Sequence, residues 1–189
     1  KCIFKGVATA LATPFSENGI NITEFEKFIN FPIDSGINAL VVCGTTGEAS
    51  TMSKEEKIAT IKCAVKTSAG RVPIIAGTGS NNTSSAIEMA TIAEILGVDA
   101  LLIVTPYYNK TTQQGLIEHY KAIANSVSLP IILYNVPIRT GLNILPETCL
   151  ELSKIENIIG IKEASGNISQ VAEITRLCGD DFSIYSGND

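Results

Sequence analysis

The stretch Asn157-Ile158-Ile159-Gly160-Ile161-Lys162-Glu163-Ala164-Ser165-Gly166-Asn167 runs from an apolar strand into a polar loop, with a lysine at the seam. An ammonium at the end of a buried strand is costly to remove from water. Desolvation favours the neutral amine, and a neutral amine can attack a carbonyl carbon to form a Schiff base. A lysine can also snorkel from a strand end to solvent. The segment alone leaves both readings of Lys162 open.

Six other apolar, β-branched runs resemble this one. The seven strand-like segments cover residues 7–13, 39–43, 74–77, 100–105, 131–134, 158–162 and 182–185. Helix-period segments lie between them at 23–34, 53–68, 83–96, 112–126, 146–154 and 168–178. Ser53-Lys54-Glu55-Glu56 and Thr23-Glu24-Phe25-Glu26 read as capping boxes, and Pro146 suits a first helical turn. Gly70, Gly97 and Gly179 stand where helices should stop. Pro32 falls inside the first helical pattern and should kink it or end it early.

The strands are continuously apolar, as in a parallel sheet buried on both faces. An open doubly wound sheet and a (β/α)8 barrel both fit the alternation. Ile75-Ala76-Gly77-Thr78-Gly79-Ser80 lacks the third glycine of a dinucleotide fingerprint, and no phosphate-cradling loop is present. Strand after strand ends in polar groups: Gly44-Thr45-Thr46-Gly47-Glu48, Thr78-Gly79, Thr105-Pro106-Tyr107-Tyr108-Asn109, Tyr134-Asn135, Lys162-Glu163 and Ser186-Gly187-Asn188-Asp189. A barrel sends all such ends to one face, where its active sites lie. The reading is therefore a single, incomplete α/β (β/α)8 barrel domain over residues 1–189. It has about seven βα units, without the eighth strand and C-terminal helices of a barrel of about 250 residues.

Composition narrows the chemistry. The chain is 45% hydrophobic and 17% charged, with a net charge of −5 and no basic cluster, so a nucleic-acid surface is not expected. No apolar run reaches the roughly 18 residues of a membrane span, and no signal peptide is read at the start. Five irregularly spaced cysteines suggest reduced thiols in a cytoplasmic protein, with Cys43 and Cys149 as small core residues. The single histidine, His119, excludes a histidine-rich metal site and reads as a surface or boundary helix position.

Several side chains at the strand ends can serve chemistry, each with a bland reading beside it. Gly44–48 can present backbone N–H groups and two hydroxyls to a small carboxylate, or be a capped loop. Tyr134 ends the strand before that of Lys162, where a structural phenol is the default. Tyr107-Tyr108 suits a site or a subunit contact. Arg139, bracketed by Pro137 and Gly141, can grip a carboxylate or sit in a surface ion pair. Glu48 and Glu163 are the nearest carboxylates, with Glu163 read as an ion-pair or helix-side residue.

Gly44-Thr45-Thr46-Gly47-Glu48, Tyr134-Asn135-Val136-Pro137-Ile138-Arg139-Thr140-Gly141 and Gly160-Ile161-Lys162-Glu163-Ala164-Ser165-Gly166-Asn167 resemble signature segments of the dihydrodipicolinate synthase group. That group belongs to the class I pyruvate aldolase family, which includes N-acetylneuraminate lyase. The resemblance runs the length of the chain and covers roughly the first two-thirds of the family's length. It implies that Lys162 forms the Schiff base with pyruvate and that Tyr134, Thr45 and Tyr108 relay protons, Tyr108 from a neighbouring subunit. Thr46, with Thr45, would hold the pyruvate carboxylate, Gly187 would lie near the substrate, and Arg139 would receive the carboxylate of L-aspartate 4-semialdehyde. No metal or organic cofactor is implied, and the family suggests a homotetramer built from dimers. Lys54, Lys57 and Ser85 replace residues that bind lysine in feedback-inhibited members, so weak inhibition is expected. Another 2-keto-acid lyase, or a non-catalytic barrel fragment, remains the alternative.

Overall fold

A computed structural model describes residues 2–17 and 19–188; Asp189, quoted above among the polar strand ends, lies outside them. Seven strands share one sheet, and a two-stranded hairpin stands apart. The chain divides into two compact units.

The first unit comprises Ile3–Gly77 and Ile92–Leu101. Its strands β1 (Ala8–Ala10), β4 (Ala39–Val42) and β5 (Ile74–Gly77) pair in parallel, with Thr9 opposite Leu40 and Val41 opposite Ile75. A hairpin of β2 (Phe15–Ser16) and β3 (Gly19–Ile20) leads into helix α1 (Ile22–Asp34). The cap of α1 is Asn21, whose side chain accepts from Glu24 N, so the Thr23 box expected from sequence is not the start. Asn21 competes well because its carbonyl reaches the third helical N–H from one residue before the first turn. Pro32 sits within the last turn and the helix still runs to Asp34, so its missing N–H is close to the end. Helix α2 (Lys54–Ser68) does carry the Ser53–Glu56 capping box. Burial pushes the Cys43 thiol up to about 12, so it stays protonated as a small core residue.

The second unit comprises Cys2, Thr78–Thr91 and residues 102–188. Strand β6 (Ala100–Val104) and helix α3 (Thr83–Leu96) each run through both units. Here β7 (Ile131–Asn135), β8 (Ile158–Glu163) and β9 (Ser183–Ser186) are parallel neighbours. The β7–β8 ladder shifts between Ile131 and Ile132: Ile131 faces Ile158, but Ile132 faces Gly160. Beyond the shift, Leu133 meets Ile161, Tyr134 meets Lys162 and Asn135 meets Glu163. Gly160 lets β9 approach, since a Cβ there would lie 2.3 Å from the Ser183 carbonyl oxygen.

Helix α6 (Pro146–Ser153) packs on β8 and is flanked by α4 (Gln113–Ala124) and α7 (Ile168–Cys178). Thr112 and Asn167 cap α4 and α7 through Gly115 N and Gln170 N. A short helix, α5 (Pro137–Thr140), fills what sequence suggested was a stiff loop. Pro137 opens it and Gly141, at φ +70°, closes it. His119 lies in α4 but is buried, not at the surface as expected. Its Nδ1 sits 2.9 Å from Thr83 Oγ1, and its Nε2 has no partner among the described residues.

Candidate active site

The site is best defined where β7, β8 and the turn after β9 meet. Tyr134 and Lys162 are register partners on neighbouring strands, so their side chains leave the same face of the sheet. Tyr134 is buried and Lys162 half-buried. The Lys162 Nζ lies 4.7 Å from the centroid of the Tyr134 ring. An amine and a phenol are thus held side by side, a pair able to attack a carbonyl and move the protons this requires.

Gly187 explains how the lysine fits. A Cβ on it would lie 2.8 Å from Lys162 Cε, 3.2 Å from Cγ and 3.0 Å from the Ala164 Cβ. The Gly187 N–H donates to the Glu163 carbonyl oxygen at 2.8 Å. The glycine expected near the substrate therefore houses the stem of the lysine.

Arg139 lies in the single turn of helix α5 and is exposed. Tyr108 is 91% exposed and has φ +68°, a left-handed conformation that strains a bulky residue. Both belong to the unit that holds Lys162 and Tyr134. Thr45 and Thr46 belong to the other unit, exposed in the turn after β4. That turn is closed by Glu48 N–H donating to the Thr45 carbonyl at 3.0 Å, with Glu48 at φ +58°. Its Gly47 is buried and its carbonyl accepts from Thr13 Oγ1 at 2.8 Å.

Sequence reasoning missed what lies on the opposite face of the same strands. Asn135 and Glu163 are register partners and both are buried. Glu163 accepts from Asn135 Nδ2 at 3.1 Å on each oxygen, from Ser165 N at 2.8 Å on Oε1 and from Gln170 Nε2 at 2.9 Å on Oε2. These donors are all neutral, so the ion pair expected for Glu163 is replaced by an amide cage. Asn143 joins it, accepting from Asn135 at 2.8 Å and from Gln170 at 3.2 Å and donating to Gln170 Oε1 at 2.8 Å. The available signal was the period of two: if Tyr134 and Lys162 face one way, Asn135 and Glu163 face the other. Among the described residues, no three His, Cys, Asp or Glu side chains gather to hold a metal.

Comparison with known proteins places this geometry. The chain is 60% identical to 4-hydroxy-tetrahydrodipicolinate synthase 1 of Clostridium acetobutylicum over 99% of its own length and 64% of the relative's. A crystal structure of a dihydrodipicolinate synthase from Bacillus anthracis superposes with a TM-score of 0.94 at 49% identity, over 96% of this chain and 63% of that one. The chloride-inhibited dihydrodipicolinate synthase from Acinetobacter baumannii, complexed with pyruvate, gives 0.95 at 46% identity, over 98% and 64%. The chain thus spans a little under two thirds of the length of these relatives. The α/β barrel architecture follows from these neighbours, with the seven sheet strands in the order β1-β4-β5-β6-β7-β8-β9. The sequence model of the dihydrodipicolinate synthetase family matches residues 3–189, and the chain belongs to that family.

Proposed function

We propose that the whole protein condenses pyruvate with L-aspartate 4-semialdehyde through a Schiff base on Lys162, giving 4-hydroxy-tetrahydrodipicolinate. The carrying observation is the Lys162 amine 4.7 Å from the Tyr134 ring, at one level of two adjacent strands. The naming of the Clostridium acetobutylicum relative and the pyruvate held by the Acinetobacter baumannii neighbour support it.

In this scheme the Lys162 amine attacks the pyruvate carbonyl carbon. Protons pass through Tyr134 to the departing oxygen, water leaves, and an iminium remains. Thr45 and Tyr108 extend the relay, and Thr46 holds the pyruvate carboxylate. Loss of a methyl proton gives an enamine, whose carbon attacks the aldehyde while Arg139 grips the second carboxylate. The substrate's amine then adds to the iminium carbon, closes the ring and releases Lys162. No step is routed through a metal or an organic cofactor. The chain acts as one catalytic domain of a cytoplasmic homotetramer, and lysine inhibits it weakly. Inhibition by micromolar lysine would refute the last point.

Borohydride reduction with pyruvate tests the chemistry. Mass spectrometry should find the reduced adduct on the Lys162 peptide. An adduct on another lysine, or none in a form of the relatives' full length, overturns the assignment. Turnover of L-aspartate 4-semialdehyde and not N-acetylneuraminate would fix the second substrate.

A further inference from the structure

We infer that Glu163 is a positioning residue for this reaction, locking the ends of β7 and β8 at the register that brings Tyr134 beside Lys162. The inference deepens the proposed function and rests on it.

Replacing a whole buried carboxylate and its amide partners by well-packed apolar side chains is often neutral or stabilising, although removing one member alone is not. Stability alone gives no reason to keep one at Glu163, which is 4% exposed. Its geometry gives another reason. Asn135 Nδ2 spans both carboxylate oxygens, tying two adjacent strands by their side chains one residue beyond the reactive pair. The main chain is tied at the same level: Ala164 N–H donates to the Asn135 carbonyl at 2.8 Å and Gly187 N–H to the Glu163 carbonyl at 2.8 Å. Glu163 is thus gripped from β7, from the turn after β9 and from α7 through Gln170.

The grip extends outward. Asn135 Oδ1 accepts from Ile144 N at 3.0 Å, which fastens the segment before α6. Gln113 of α4 donates to the Asn143 carbonyl at 2.9 Å and accepts from Leu145 N and Thr148 Oγ1. Both carboxylate oxygens meet N–H donors, so the acceptor capacity of Glu163 is used on every side. Lys162 is left freedom only beyond its own backbone, and its stem lies against Gly187. Misplacing a reacting group by about 1 Å can cost about a hundredfold in rate, so such a lock bears on catalysis directly.

The test is Glu163→Gln, which keeps the shape but turns an N–H2 group toward N–H donors. Adduct formation with pyruvate is quenched with borohydride over time, and the Lys162 peptide is quantified. The wild-type arm reports on the proposed function: no adduct on Lys162 sinks both readings together. With the wild-type adduct in hand, the adduct rate at saturating pyruvate should fall about tenfold or more while half-saturation moves less than about threefold. Glu163→Asp, which keeps the charge, should recover part of the rate. A folded Glu163→Gln protein within about twofold of the wild-type rate overturns the inference, even if it melts earlier. Should Glu163→Gln fail to fold, Gln170→Met decides, since it removes one donor and leaves the carboxylate. A rate loss beyond about twofold supports the lock, and a smaller one rejects it.

Discussion

The two faces of the β7–β8 pair carry opposite designs from the same four residues. One face presents Tyr134 and the half-buried Lys162, an amine over a ring with room to move beyond its stem. The other buries Asn135 and Glu163 in a cage where each polar side chain has its partners. The residues concerned are adjacent in sequence, so one backbone register serves both faces. The difference teaches that a reactive group is kept adaptable by making its neighbours on the other face rigid.

The sharpest way to break this contrast is to measure stability on each face. Glu163→Leu leaves buried donors without acceptors and should cost about 3 kcal/mol or more in urea unfolding. Lys162→Met should stay within about 0.5 kcal/mol, since the lysine is half-exposed. Equal losses would erase the distinction. Gly187→Ala comes next, with its new methyl carbon 2.8 Å from Lys162 Cε. It should cost about 1–3 kcal/mol by crowding and slow adduct formation in the same protein. An unchanged adduct rate would show that the lysine stem does not need that space.

His119 sharpens the contrast from outside, because it is a buried polar group that is only half matched. Burial lowers its pKa from 6.5 to about 4. Above pH 6.5 the ring is neutral folded and unfolded, and it adds no pH dependence. Between 6.5 and about 4 the unfolded chain takes up a proton that the folded chain refuses, so stability should fall as pH falls. His119→Gln should flatten that slope in urea titrations across this window. A slope identical to wild type would assign the acid sensitivity to other groups. A gain is expected at Tyr108, where asparagine tolerates the left-handed backbone better. Tyr108→Asn should gain about 1 kcal/mol, read from the urea midpoint, while weakening the relay proposed above.

Much of this was legible in the chain. The seven apolar runs are the seven sheet strands, and Lys162 and Tyr134 stand one residue before the ends of neighbouring ones. The hairpin of β2 and β3 escaped because two residues a strand are too few to show alternation. Helix α5 escaped because one turn carries no hydrophobic period, although its proline and glycine marked both ends. Asn21 was passed over for Thr23 because the Thr-Glu-Phe-Glu spacing mimics a cap. The Glu163 cage was out of reach because Asn143, before α6, and Gln170, in α7, sit on different elements that only the folded structure brings together. Local pattern reports which face a residue takes, not which distant partner waits there.

One irregularity upstream decides the rest by parity. β8 spends one more residue than β7 between the first pair, Ile131 with Ile158, and the next, Ile132 with Gly160. Without that odd step, Tyr134 would stand opposite Ile161, and Lys162 opposite Asn135. Amine and phenol would then leave opposite sides of the sheet, and the carboxylate would lose its amide partner across the ladder. Deleting Ile159 itself would only straighten the ladder and leave Tyr134 opposite Lys162, so adduct formation on the lysine should survive it. One unpaired residue upstream sets which side chains share a face at the strand ends.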